Sequence, residues 1–271
     1  MDPTRVSTPS DPPLPDRFDL YEACVQSPPE MAMLLTAIHG NAPKHLGEDF
    51  AGTGDLARYW IGQSDDHTAQ IIDLDRAALN RAGTRDRLTA IVGDVREPRE
   101  LEPVDVLHAG NFSIGYMHSR AELVQYLARS RQRLLPRGVF VCDTYGGESA
   151  FLLGSVEKQV SLPHGRHCLY TWEQRAADPM TGFVTDVLHF RVFDADEAVL
   201  DLPEAFVYHW RLWSIPEIRD AMAEAGFARS AVYAQLPDAV DDGGTPYAQP
   251  IEDPDWLGDS FIVCVAGFAA R

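Results

Sequence analysis

Apolar positions in the first half of the chain follow two alternating rhythms. Met31, Leu34, Leu35 and Ile38 recur at helical spacing, after an earlier apolar set at Leu20, Tyr21 and Val25. This pattern predicts one or two helices before residue 46. An apolar lead-in at Leu46, the small-residue loop Gly52-Thr53-Gly54, and Leu56, Ala57 and Trp60 at helical spacing then read as strand, tight turn and helix. Short apolar runs predict strands at 69–73, 88–92 and 104–109, with a helix over 75–83 between the first two. Ser119-Arg120-Ala121-Glu122 is a capping box, and the helix it opens carries Leu123, Leu127, Ser130 and Leu134 on one face. Pro136-Arg137-Gly138 ends that helix before a buried strand at 139–144.

After a further helix near 149–160 the rhythm changes to strands at 168–173 and 182–192, around the turn sequence Asp178-Pro179-Met180-Thr181-Gly182, with a third strand at 205–210. A second capping box, Ser214-Ile215-Pro216-Glu217, opens a helix that stops at Gly226. Strands at 231–236 and 261–268 follow, separated by a Pro/Gly/Asp-rich loop. Strand-helix alternation implies an α/β fold with a doubly wound, mostly parallel sheet and helices on both faces. The strands at 168–210 read as an antiparallel insertion. Ligands of such sheets lie outside the carboxyl ends of the strands, which singles out Glu48, Asp73, Asp94, Asn111 and Asp143.

Composition narrows the function. The 271 residues include 41 acidic and 23 basic side chains, a net charge of -18 that repels phosphate backbones and argues against nucleic-acid or anionic-membrane partners. The four cysteines, Cys24, Cys142, Cys168 and Cys264, are scattered, which fits reduced cytoplasmic thiols better than a disulfide frame. No apolar stretch approaches a membrane span, and no apolar signal region opens the chain. His164 and His167 diverge near a strand start, so no metal is expected.

The order of strand ends is the specific signal. Glu48 precedes Gly52-Thr53-Gly54, Asp73 ends Ile71-Ile72-Asp73-Leu74-Asp75, Gly93-Asp94-Val95 ends the third strand, and Asn111-Phe112-Ser113 follows the fourth. Over residues 46–143 this set resembles the class I S-adenosylmethionine-dependent methyltransferases, an uncharacterised bacterial small-molecule branch among them. The resemblance implies a Rossmann-like seven-stranded sheet and S-adenosyl-L-methionine as cofactor. Glu48 and the Gly52, Thr53 and Gly54 backbone would hold its methionyl end. Asp73, with Leu74 beside it, would accept the ribose hydroxyls, and Asp94 with Val95 would meet the adenine. Asn111 would lie where donor faces acceptor, and Tyr21 and Gln26 would close the site from above. The loop departs from the commonest pattern: Asp49 replaces an apolar residue and Phe50 a glycine, so the turn there is expected to differ.

The resulting expectation is methyl transfer to a small molecule, leaning to an amine nitrogen, which brings its own lone pair. A hydroxyl acceptor would need a base, for which Asp143, Tyr145, His118 and His209 are candidates. Tyr208, Trp210, Arg211 and Trp213 are candidate acceptor contacts, with core packing the competing role for the aromatics. The rivals are an O- or C-methyltransferase of secondary metabolism, a non-catalytic S-adenosylmethionine-binding interaction protein, and a nicotinamide-dependent oxidoreductase. The last is weakened by Ala57 at the usual third-glycine position. The expected organisation is a loose tail over 1–16 and one domain over 17–271. Within it lie N-terminal helices (17–43), a cofactor-binding core (44–160), the antiparallel insertion (161–213) and a C-terminal helix and strand pair (214–271). Oligomeric state is left open.

Overall fold

The structure, a computed structural model, describes residues 12–40, 42–240 and 244–270. Two helices, α1 (Arg17–Val25) and α2 (Pro28–His39), lead into β1 (His45–Asp49), α3 (Asp55–Gln63), β2 (Thr68–Asp73), the single turn α4 (Arg76–Leu79), β3 (Leu88–Val92) and β4 (Val104–Ala109). Then come α5 (Arg120–Gln132), β5 (Leu134–Gly147), and four consecutive strands: β6 (Gly154–Ser161), β7 (Arg166–Asp178), β8 (Phe183–Asp194) and β9 (Glu197–Arg211). The chain continues through α6 (Ile215–Glu224), β10 (Arg229–Tyr233), the two-residue strands β11 (Ala239–Val240) and β12 (Pro246–Tyr247), and β13 (Ser260–Phe268).

Seven strands form the main sheet in the order β10-β13-β5-β4-β1-β2-β3. Only β13 runs against its neighbours, antiparallel to both β5 and β10. Ile71 and Ile72 are adjacent in β2 and both buried, because successive side chains enter opposite faces and both faces are covered. Leu34, Leu35, Leu56 and Trp60 of α2 and α3 pack on one face, and Leu123, Leu127, Ile218 and Met222 of α5 and α6 on the other. The chain leaves β1 towards the first face and β4 towards the second. Since β1 and β4 are neighbours, their carboxyl ends part and leave a crevice.

The remaining four strands form a separate antiparallel meander, β6-β7-β8-β9, inserted after β5. Cys168, Leu188, Phe190 and Val192 on one face of it pack against Leu20 and Cys24 of α1. The insertion therefore holds the N-terminal helix over the crevice.

Three local expectations are corrected. The helix anticipated near 149–160 is instead a turn followed by β6, so the insertion begins at Gly154. Leu152, Val156 and Val160 suit helical spacing, but Val156 and Val160 pair in register with Trp172 and Cys168 of β7, and that pairing decides. The helix expected over 75–83 is broken into α4 and a 3-10 turn at Asn80–Ala82. β5 starts earlier than 139, accommodating Arg137 at a positive φ of 67° and a register shift against β4. As for the expected tail, residues 1–11 lie outside the described residues. Pro12 and Pro13 accept hydrogen bonds from the buried Arg166 guanidinium, and Asp16 caps α1 in a capping box.

Candidate functional site

A cleft of about 660 Å³ opens over the carboxyl ends of the strands. Its wall brings together Tyr21, Gln26, Gly52, Thr53, Asp73, Leu74, Asp94, Val95, Asn111, His118 and Tyr208, eleven of the residues singled out from sequence.

The floor is the loop after β1. Gly52 has φ +54°, and a side chain there would meet nothing within 4 Å, so the backbone faces open space. Gly54 (φ +67°) caps α3, where an added Cβ would lie 2.7 Å from Ile71 Cδ1. Phe50 does adopt the left-handed region, at φ 57°, at a cost of about 1–3 kcal/mol. Its ring stacks on Tyr116, with centroids 5.7 Å apart, which helps offset that strain. Asp49, the other departure, is fully buried and points away from the cleft. Arg133 grips both its oxygens at 2.8 and 2.9 Å, and the Tyr126 hydroxyl donates to it at 2.9 Å. That acid ties β1 to α5.

Asp73 is held by two backbone amides: its Oδ2 accepts the Gly52 N–H and its Oδ1 the Asp75 N–H, both at 2.7 Å. Burial raises its pKa despite these bonds. Each oxygen keeps a further lone pair for a ligand. Asp94 receives the Arg96 guanidinium on both oxygens, at 2.7–3.0 Å, which lowers its pKa, so a ligand there shares the carboxylate with Arg96. After β4, Asn111 and Phe112 both have positive φ, 55° and 60°. The buried Asp143 carboxylate accepts their N–H groups at 2.9 and 2.7 Å, while burial pushes its pKa up to about 6. This candidate base is spent on shaping the loop.

Glu48 lies behind the floor. Burial pushes its pKa up to about 8, the Ala57 N–H opposes that shift, and the nearby acids Asp55, Asp73 and Asp49 add to it. Glu48 Oε2, Thr53 Oγ1 and Gln26 Oε1 are buried without a hydrogen-bond partner. Three unsatisfied acceptor atoms in the Glu48-Thr53-Gln26 region are costly unless a donor fills them.

The roof comes from α1 and β9. The Tyr21 and Tyr208 hydroxyls interact, Tyr21 packs on Phe206 with centroids 5.1 Å apart, and burial raises both tyrosine pKa values. Phe18, Tyr116 and Phe206 also line the cleft, and none of them was singled out from sequence.

The expectation that residues 208–213 line one acceptor pocket is corrected. Tyr208 reaches the cleft, but Trp210 is only 5% exposed, stacked on Tyr208 at 4.4 Å and covered by Phe112 and Tyr116. Trp213 is buried and donates its indole N–H to the Met117 carbonyl at 2.9 Å, with the Arg211 guanidinium over its ring. His209 is exposed and its ring contacts the Thr185 hydroxyl. Tyr145 borders a second cavity, of about 450 Å³, beside Arg211 and Phe261. Among the described residues no His, Cys, Asp and Glu side chains cluster as metal ligands, and no helix is long and apolar enough to cross a membrane.

No protein-family profile matches the chain, and no curated protein matches its sequence. Solved structures do match in three dimensions. The sugar N-methyltransferase KedS8 from a Streptoalloteichus species superposes with a TM-score of 0.65 at 17% identity, over 100% of this chain and 99% of that one. DesVI from Streptomyces venezuelae gives 0.67 at 19% identity, over 93% and 95% of the two chains. The fold is that of the class I methyltransferases. CalS10, an amino pentose methyltransferase from Micromonospora echinaspora solved with S-adenosylmethionine, shares it at a TM-score of 0.63 and 17% identity, over 92% of this chain and 94% of that one. Because the match runs nearly end to end, the antiparallel insertion belongs to this version of the methyltransferase fold, and so does the α1 roof.

Proposed function

We propose that this chain transfers the methyl group of S-adenosylmethionine to the nitrogen of a small-molecule amine. The observation that carries the reading is the end of the cleft where buried polar atoms are left unsatisfied. Thr53 and Gln26 offer buried, unpartnered polar atoms beside the open Gly52 backbone, with Glu48 behind them, where the ammonium of the cofactor's methionyl end would satisfy them. Asp73 would take the ribose hydroxyls, and Asp94 with Val95 the adenine. When bound, S-adenosylmethionine supplies an electrophilic methyl on a positively charged sulfur. The chain's own work is then to align the acceptor over Asn111 and keep water out with Tyr21, Tyr208 and Phe206.

Nitrogen is favoured because Asp143, the candidate base at the end of β5, is engaged by the Asn111 and Phe112 amides. An amine lone pair needs no strong base. The neighbours' printed activities, sugar N-methylation and amino-pentose methylation, support the same acceptor class. The open cleft speaks against a purely non-catalytic role, since neither Trp210 nor Trp213 plugs it. The test is incubation with methyl-labelled S-adenosylmethionine and separate pools of amines, phenols and carboxylic acids. Label in an amine is the expected result. Label confined to phenols or acids would overturn the nitrogen assignment, and failure to bind S-adenosylhomocysteine would overturn the whole reading.

A further inference from the structure

One buried carboxylate has no part in the cofactor cleft. Asp186 of β8 is fully buried in the face of the insertion that turns towards β5, and its Oδ1 has no hydrogen-bond partner. Its register neighbours are Gln174 on β7 and Tyr208 on β9, so it stands beside a residue that lines the cleft.

Its other oxygen has only a long bond from a hydroxyl that a nearer acceptor also claims. The Gln174 Nε2 donates to the carbonyls of Ala150 and Leu152, at 3.0 and 2.8 Å, which fixes the amide with Oε1 facing Tyr145. The Tyr145 hydroxyl lies 2.9 Å from that Oε1 and 3.3 Å from Asp186 Oδ2. A hydroxyl has one proton, and the shorter, fixed acceptor takes it. Asp186 Oδ2 is left with the longer, weaker contact, so neither carboxyl oxygen is well bonded, and burial pushes the group's pKa up to about 7. The groups facing it are Tyr145 from β5, Tyr170 and Gln174 from β7 and Tyr208 from β9, none of them a cation. The surrounding walls are aromatic: Trp172 meets Tyr145 edge-on at 5.9 Å, and Phe112 does so at 5.0 Å. A buried, under-bonded carboxyl among aromatic rings suits one ligand chemistry, an organic ammonium, which gains charge pairing and cation–π contact together.

We propose that Asp186 is the specificity-determining residue of the acceptor site, receiving the ammonium of a cationic amine between Tyr145 and Tyr208. This rests on the amine-methylating reading above and deepens it. The ionised carboxylate recognises the ammonium, and in so dry a setting the pair then neutralises itself. One ammonium N–H bond breaks, its electron pair stays on nitrogen, and the proton passes to Asp186 Oδ1, leaving a neutral amine and a neutral carboxylic acid.

The test uses the full chain and two probes of like shape, cyclohexylamine and cyclohexanol, followed by calorimetry and by the fluorescence of Trp172 and Trp210. The amine should bind and the alcohol should not. Asp186→Asn, close in shape, should weaken the amine about 10-fold or more, the worth of a hydrogen bond to a charged group, with S-adenosylhomocysteine affinity unchanged. In the wild type, amine affinity should fall as pH drops through about 7, where Asp186 becomes protonated before any ligand arrives. Equal binding of amine and alcohol, or an Asp186→Asn protein that still selects the amine, would overturn the proposal and leave Asp186 a structural acid solvated by a buried water. The wild-type pH series tests the same point without a variant, and an amine affinity that stays level through pH 7 would likewise overturn it. Loss of S-adenosylhomocysteine binding by the wild type would instead strike at the methyltransferase reading, while amine selectivity still judges Asp186.

Discussion

Replacing Asp73 by alanine measures how much of the cofactor site rests on one carboxylate. Asp73 already spends one lone pair of each oxygen on a backbone amide, Gly52 and Asp75, at 2.7 Å each. The remaining lone pairs are those available to the two ribose hydroxyls. Hydrogen bonds to a charged group contribute about 1.5–3 kcal/mol, and about 1.4 kcal/mol is a factor of ten. Asp73→Ala should therefore weaken S-adenosylhomocysteine about 10- to 150-fold. It also strips two amides of their acceptor. Asp73 is only half-buried, so water replaces part of that loss, and the ligand-free protein should lose about 1–2 kcal/mol of stability. Asp73→Asn keeps one acceptor oxygen but turns an NH₂ towards one of the amides, and should fall between wild type and alanine. Titration calorimetry gives the affinities, and scanning calorimetry on the ligand-free proteins separates misfolding from lost contacts. Wild-type affinity in a folded Asp73→Ala protein would remove Asp73 from the site.

Arg133→Met leaves the Asp49 carboxylate buried with only the Tyr126 hydroxyl, and should cost about 3–5 kcal/mol in denaturant unfolding. Combining Arg133→Met with Asp49→Leu should recover most of it, and a loss below about 1 kcal/mol in Arg133→Met alone would show that the pair does not anchor β1 to α5. Glu48 and Asp143 have folded pKa values raised to about 8 and about 6, so the native state binds more protons than the unfolded one from about pH 4 to 8. Stability should then fall across that window as pH rises; Glu48→Gln should flatten the upper part of the fall in melting curves, and an unchanged slope would contradict the Glu48 shift. A net charge of -18 should leave bulk tRNA unbound at physiological salt, and salt-sensitive micromolar binding in a filter assay would overturn the small-molecule reading.

Strand ends were legible from sequence where burial on both faces forced continuous apolar runs, as in Ile71-Ile72 before Asp73, and where a capping box marked the next helix, as at Ser119. The loop Gly52-Thr53-Gly54 was legible because Gly54 leaves no room for a Cβ beside Ile71 and both glycines take a positive φ, so the turn is written in glycines. Other features depended on register, which a single chain does not display. β6 carries Val156 and Val160 at a spacing that serves helix and strand alike. Trp210 looked like a pocket wall until Phe112 and Tyr116 were seen to cover it. Asp49 looked like a misplaced acid in the glycine loop, yet its partner Arg133 lies 84 residues away. Asp186 was silent for the same reason: nothing nearby in sequence announces Tyr145 or Gln174.

The position of β13 constrains the order in which the chain can assemble. This strand follows every other strand in the chain, yet it lies between β5 and β10. Until it has been made, β5 shows an open edge nine register positions long, and α6 with β10 has no sheet to join. The insertion, a run of local hairpins, can form early, whereas the main sheet closes only by admitting its last-made strand to an interior slot. A nascent chain halted before residue 260 would thus hold the strands of the cofactor cleft beside an exposed, strongly apolar edge, the kind of surface that recruits chaperones or pairs with a second chain. Loss of β13 should cost the whole molecule, although none of its residues lines the cleft.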